Sequence, residues 1–197
     1  MRIVAGKLRG RALATPDDAR IRPTSDRVRE AVFNILAHGV EDFSIEGALV
    51  LDLFAGTGAL GIEALSRGAL SCVFVEEDPE ARGLIRRNIE AFGLTGVTRL
   101  YRRDATDLGD SGNRDPFTLV LADPPYGRGL GERALASAAQ GGWLAPGAVV
   151  VLEERAGTVV TLPDGFVALD QRTWGDTSVM FARFVGRAAA ATDDAKP

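Results

Sequence analysis

Asp123, Pro124, Pro125 and Tyr126 stand together directly after the apolar run Phe-Thr-Leu-Val-Leu-Ala at residues 117–122. An acid, two prolines and an aromatic ring where a hydrophobic strand gives out are the parts of a grip on a planar amino group. Prolines lack N–H donors and keep the backbone stiff and extended, so the neighbouring carbonyls hold fixed directions. A carboxylate and a carbonyl can accept the two hydrogens of an exocyclic amine. The same four residues also make an ordinary rigid turn, because Pro and Asp are common in turns.

A second pattern lies upstream. The run Val50-Leu51-Asp52-Leu53-Phe54 leads into Ala55, and Gly56, Gly58 and Gly61 follow at the spacing of a dinucleotide-binding loop. Glu76 ends the next strand, where such folds keep a ribose-binding acid. This loop fits NAD as well as several other nucleosides. Asp52 discriminates, because an acid just before the loop would oppose a pyrophosphate. S-adenosylmethionine has no phosphate; its positive end would be drawn to Asp52, and its carboxylate to loop N–H groups. Asp104, beside Ala105, follows a third strand and could accept from an adenine amino group. Each acid alone reads as a cap or a turn residue. Asp52, Glu76, Asp104 and Asp123 each follow a successive strand, which points to one ligand site along one sheet edge.

The elements that must carry these residues are legible as alternation. Strands are expected at residues 48–54, 71–75, 97–101, 117–122 and 148–152, with helices at 60–67, 79–92 and 131–139 between them. Nearly continuous apolar strands separated by helices imply a mostly parallel sheet covered on both faces. Residues 165–170 and 179–185 read as two more strands joined at Trp174-Gly175-Asp176, an antiparallel hairpin that brings the sheet to seven strands. Residues 107–116 read as a polar loop or short helix. Near the start, residues 2–5 and 8–13 read as a small basic hairpin around Gly6-Lys7. A loop follows at 16–23, and then a helix from Arg27, capped by Thr24 or Ser25 and ended by Gly39. This gives a basic extension over 1–23, a main domain over 24–186 and a disordered tail over 187–197.

With 197 residues and 46% hydrophobic content, the chain can bury a full core without staples. The lone cysteine, Cys72, sits in an apolar run and excludes an internal disulfide, which suits a reducing cytoplasm. No signal-like h-region follows Met1, and no apolar run approaches the ~20 residues of a membrane span. One cysteine and one histidine offer no metal-ligand cluster. The net charge of −4 argues against a general nucleic-acid binder, yet residues 1–11 carry Arg2, Lys7, Arg9 and Arg11 and no acid. A basic end on an acidic protein is a local footprint for a polyanion.

Leu51 to Gly58, Glu76 and the Asp123–Tyr126 tetrapeptide resemble the class I S-adenosylmethionine-dependent amino-methyltransferases. The strings at residues 2–11 and 22–34 are similar to those of the RsmD family, and the likeness spans residues 2 to about 185. Family members often carry phenylalanine where this chain has Tyr126. The resemblance implies a Rossmann-like fold and methylation of the N2 amino group of one guanine in bacterial 16S ribosomal RNA, naked or in a small-subunit particle. It implies cofactor contacts from Asp52, Phe54, Ala55, Gly56, Gly58, Glu76, Asp104 and Ala105, and catalysis by Asp123, Pro124 and Tyr126. Lys7, Arg9, Arg11, Arg22 and Arg27 would hold RNA phosphates; Arg128, just past the tetrapeptide, could do so or simply face water. A monomer without metal or membrane is expected. Rival readings keep the fold but take adenine or a protein glutamine as acceptor, or make the chain an NAD-binding oxidoreductase, or a non-catalytic RNA-binding module.

Overall fold

The computed structural model describes residues 1–16 and 26–186. Five strands, β1 (Leu49–Leu53), β2 (Ser71–Val75), β3 (Thr98–Tyr101), β4 (Phe117–Ala122) and β5 (Leu144–Arg155), pair in parallel. Two more, β6 (Phe166–Trp174) and β7 (Thr177–Phe184), form an antiparallel hairpin that joins through β7. The order across the sheet is β3-β2-β1-β4-β5-β7-β6. The chain builds outward from β1 in one direction, then returns to start again at β4. The crevice between β1 and β4 is therefore the topological switch point, where open α/β sheets hold ligands.

Successive side chains of a strand point to opposite faces, and the core divides accordingly. Val50, Phe74, Leu119, Leu121 and Val151 pack with helices α1 (Asp26–His38), α2 (Ala59–Ser66) and α3 (Pro79–Phe92). Leu51, Leu53, Val75, Val120 and Val150 pack with α4 (Leu130–Gln140) and Trp143. Both faces are dry, which explains why these strands read as unbroken apolar runs. Helix α3 shows how local chemistry sets its ends. The Asp78 carboxylate accepts from Ala81 N at 2.8 Å, Pro79 opens the first turn, and Gly93 closes the helix in the left-handed region.

Several elements differ from expectation. The N-terminal hairpin has one antiparallel bridge, Arg2 with Ala12, in place of two regular strands. Its tip is a 3-10 turn at Gly6–Leu8 shaped by what lies beneath: a Cβ on Gly6 would sit 1.9 Å from the Ser66 carbonyl oxygen of α2. The Glu63 carboxylate, fully buried on α2, accepts from Val4 N at 2.9 Å and Ala5 N at 3.0 Å. Ser66 Oγ accepts from Leu8 N at 2.9 Å. Ile3, Leu8 and Leu13 join the buried cluster on the same side, so the segment is docked by both core and backbone. Residues 107–116 contain no helix. Both β5 and β6 run longer than the expected 148–152 and 165–170. The expected caps Thr24 and Ser25, most of the loop at 16–23, and the tail lie outside the described residues.

Candidate active site

A cleft of about 1170 Å³ opens over the switch point. Its walls are the loop after β1, the ends of β2 and β4, the segment 104–106, the start of α4 and the turn after β5. Asp52, Phe54, Ala55, Gly56, Glu76 and Asp104 line it, as do Asp123, Pro124 and Tyr126. Gly58 and Ala105, expected as contacts, are not among the lining residues; both are buried.

The loop is built by two close approaches. Gly58 precedes α2 with φ +77, a conformation costly for any residue with a Cβ. Gly61 lets α2 rest on the sheet: a Cβ there would lie 2.5 Å from the Phe74 ring, 2.6 Å from Cys72 Sγ and 2.9 Å from Asp52 Oδ2. Phe54 takes φ +57 without being glycine, a strained turn at the floor of the cleft. Backbone bonds then change the expected donors. Ala55 N donates to Val75 O, Gly58 N to Ala55 O, and Gly56 N to the Glu76 carboxylate at 2.8 Å. These three N–H groups are already used inside the protein. Thr57, Ala59 and Leu60, at the start of α2, line the cleft instead, and a helix's first N–H groups have no intrahelical partner.

Acids dominate the floor. Asp52 is 1% exposed and accepts from Gly61 N at 2.9 Å. Burial pushes its carboxyl well above the ordinary range; the Gly61 N–H opposes this, and the charges of Asp123 and Glu76 add to it. Glu76 also accepts from Asp78 N at 2.9 Å, so each of its oxygens already holds one backbone N–H. Asp104 Oδ1 accepts from the Thr106 hydroxyl and N–H, both at 2.7 Å, and these bonds hold its carboxyl below the usual range. The turn-residue reading of Asp104 is therefore correct as far as it goes, and the residue still faces the cleft.

The tetrapeptide hangs across the switch point. Asp123 N donates to Leu53 O at 3.4 Å, which ties it to the end of β1. Tyr126 donates its hydroxyl to Glu153, and Gly127 N donates to Glu154 at 2.9 and 3.1 Å. Both glutamates are buried. Burial first, and the Glu153 carboxylate second, raise the Tyr126 hydroxyl above its ordinary pKa. The sequence reading did not single out Glu153 and Glu154. The signal was present, since they follow the apolar core of β5 as Glu76, Asp104 and Asp123 follow their strands; Asp52 lies within β1 itself.

The basic residues fall elsewhere. Lys7 and Arg9 are exposed on the N-terminal turn, and Arg27 is exposed on α1. Arg11 is exposed but engaged: it donates to Ala91 O at 2.5 Å, with its guanidinium 4.5 Å from the Phe92 ring centre. Arg22 lies outside the described residues. None of the four described residues lines the cleft.

Residues 1–183 match the family model described as Conserved hypothetical protein 95. The chain is 40% identical over 154 residues to the ribosomal RNA small subunit methyltransferase D of Escherichia coli K12, covering 78% of this chain and 74% of that one. It is 32% identical over 180 residues to the protein of the same name from Haemophilus influenzae, covering 90% and 91%. Among solved structures, a putative methyltransferase of Escherichia coli, yhhF, superposes with a TM-score of 0.80 at 32% identity, covering 95% of this chain and 99% of that one.

Proposed function

The chain belongs to the ribosomal RNA small subunit methyltransferase D family, S-adenosylmethionine-dependent rRNA methyltransferases, and from that premise we propose that it methylates the exocyclic N2 amino group of a guanine in 16S ribosomal RNA. The observation that carries the acceptor reading is the tetrapeptide: a carboxylate, a stiff carbonyl and a ring line the switch-point cleft together. The basic N-terminal turn with Lys7 and Arg9 favours an RNA acceptor over a protein amide.

The cleft suits the cofactor's charge. Asp123 and Glu76 already push the Asp52 carboxyl upward, which means the potential there is negative. Such a field favours a sulfonium and an ammonium and opposes a pyrophosphate. It therefore weighs against NAD. S-adenosylmethionine would supply the activated methyl group. Asp52 would hold the ammonium, and the N–H groups of Thr57, Ala59 and Leu60 the carboxylate. Glu76 retains lone pairs for ribose hydroxyls, and Asp104 Oδ2 for the adenine amine.

On the acceptor side, the guanine must leave its stack before its amine can be reached. Tyr126 stacks on the base. Asp123 and the Pro124 carbonyl accept the two amine hydrogens and aim the nitrogen lone pair across the cleft. This amine is a poor nucleophile, because its lone pair is delocalised into the ring. Two fixed acceptors favour a pyramidal nitrogen and stabilise the positive charge that grows on it. Proximity and alignment supply most of the rest. The substrate is 16S RNA, free or in a small-subunit particle, and the chain acts as a monomer without metal.

Calorimetric titration tests the pairing of the two halves. S-adenosylhomocysteine should bind both the wild type and Asp123→Ala, with NAD binding neither, while Asp123→Ala loses methyl transfer by at least about a thousandfold. Turnover retained in Asp123→Ala would remove the proposed grip on the amine.

A further inference from the structure

Two arginines stand at the acceptor end of the cleft. Arg128 follows the tetrapeptide and Arg155 ends β5; both line the cleft and both are exposed. One buried oxygen joins the segment before Arg128 to Arg155: Glu154 Oε1 accepts from Gly127 N at 2.9 Å and from Arg155 N at 2.7 Å. Glu154 is 4% exposed, so the tie is a fixed part of the core. Among the described residues, neither guanidinium has a hydrogen bond or an ion pair.

Their surroundings give the pair a task. Seven carboxylates, among them Asp52, Glu76, Asp104, Asp123 and Asp176, line the same cleft and outnumber the two other arginines in its wall, Arg29, which is buried, and Arg133, which acts on Asp104. A polyanion approaching this floor is repelled over roughly 8–10 Å at moderate salt. The phosphates beside the extruded nucleotide must be brought against this charge for the base to reach Asp123. Lys7 and Arg9 cannot do this, because neither lines the cleft.

We infer that Arg128 and Arg155, on the two chain segments that Glu154 joins, clamp the RNA phosphates flanking the target nucleotide and so hold that base against Tyr126. The inference rests on the RNA-methyltransferase reading and adds a second RNA contact, separate from the N-terminal turn. Guanidinium groups suit the role, since their planar fork binds phosphate oxygens in pairs.

The test is the double variant Arg128→Ala/Arg155→Ala, assayed for methyl transfer to small-subunit rRNA from cells lacking this protein, across RNA and salt concentrations. KM for RNA should rise about tenfold while kcat stays within about twofold. The slope of log affinity against log salt should fall by about 1.4, two contacts at ~0.7 each for a single strand. S-adenosylhomocysteine should bind as in wild type. Unchanged KM and slope, with wild-type turnover intact, would overturn the clamp alone. A wild type that methylates no rRNA would overturn both the clamp and the reading beneath it. Should the double variant fail to bind S-adenosylhomocysteine, Arg128→Lys/Arg155→Lys decides: the lysines keep the charge, so the slope should match wild type with KM raised about threefold. A KM equal to wild type there would remove the forked contact.

Discussion

At the scale of single residues, Asp52 would combine its proposed hold on the cofactor with a cost in stability. It is buried, and its carboxyl is raised mainly by that burial. A raised acid favours the protonated form in the folded state, so ionisation costs stability as pH rises above the unfolded value of about 4. Asp52→Asn keeps an acceptor for the Gly61 N–H and removes the charge. The variant should melt higher than wild type at neutral pH, and the gap should close as pH falls below about 4. Its affinity for S-adenosylhomocysteine should drop at least about tenfold, or about 1.4 kcal/mol. Thermal scans from pH 3.5 to 8 with a calorimetric titration read both effects. Equal melting at pH 8 would show that the buried carboxyl carries no such penalty.

At the scale of elements, contacts between distant segments fix what local pattern does not. Strands β2 and β4 and helix α3 have the ends read from sequence, because prolines, glycines and caps bound them. Strand β5 was legible only at its apolar centre. Pro146-Gly147 lies inside the strand, and the structure absorbs it where the pairing with β4 slips between Phe117 and Leu119. Its end, Glu153-Glu154-Arg155, lies beyond the expected strand, and β7 pairs with all three residues. The floor of the site was legible because its acids follow apolar runs. The brace behind it was not, since Tyr126 and Glu153 lie 27 positions apart. The bond from Ala14 N to Asn88 Oδ1, at 2.7 Å, spans 74 positions and was equally invisible.

Two glycines test this level. Gly61→Ala drives a Cβ into Phe74 and Cys72, and should lower stability by about 1–3 kcal/mol. Gly6→Ala meets the Ser66 carbonyl at 1.9 Å and must also hold φ +78. It should release the N-terminal segment to limited proteolysis while S-adenosylhomocysteine affinity stays within about threefold. Protease resistance equal to wild type would show that the tip is not pinned to α2.

At the scale of the molecule, charge is divided by place. The net charge is −4 and the cleft floor is acidic, while the exposed N-terminal turn carries Lys7 and Arg9 without an acid beside them. That turn is anchored through Glu63 and Ser66 on α2, the helix that begins at the cofactor loop. If the turn holds RNA as proposed, that RNA would be registered against the cleft. Lys7→Ala/Arg9→Ala should weaken RNA binding several-fold and flatten its salt dependence, with cofactor affinity unchanged. An unaltered salt slope would remove the turn from the RNA contact.

The proposed match is between an amine-gripping tetrapeptide and an acceptor in ribosomal RNA. Transfer of tritiated methyl from S-adenosylmethionine to rRNA of cells lacking this protein, followed by mapping of the label, tests it most directly. One labelled nucleotide is expected, an N2-methylguanine in 16S RNA, at one methyl per molecule. Label on adenine, on protein, or spread over many sites would contradict it.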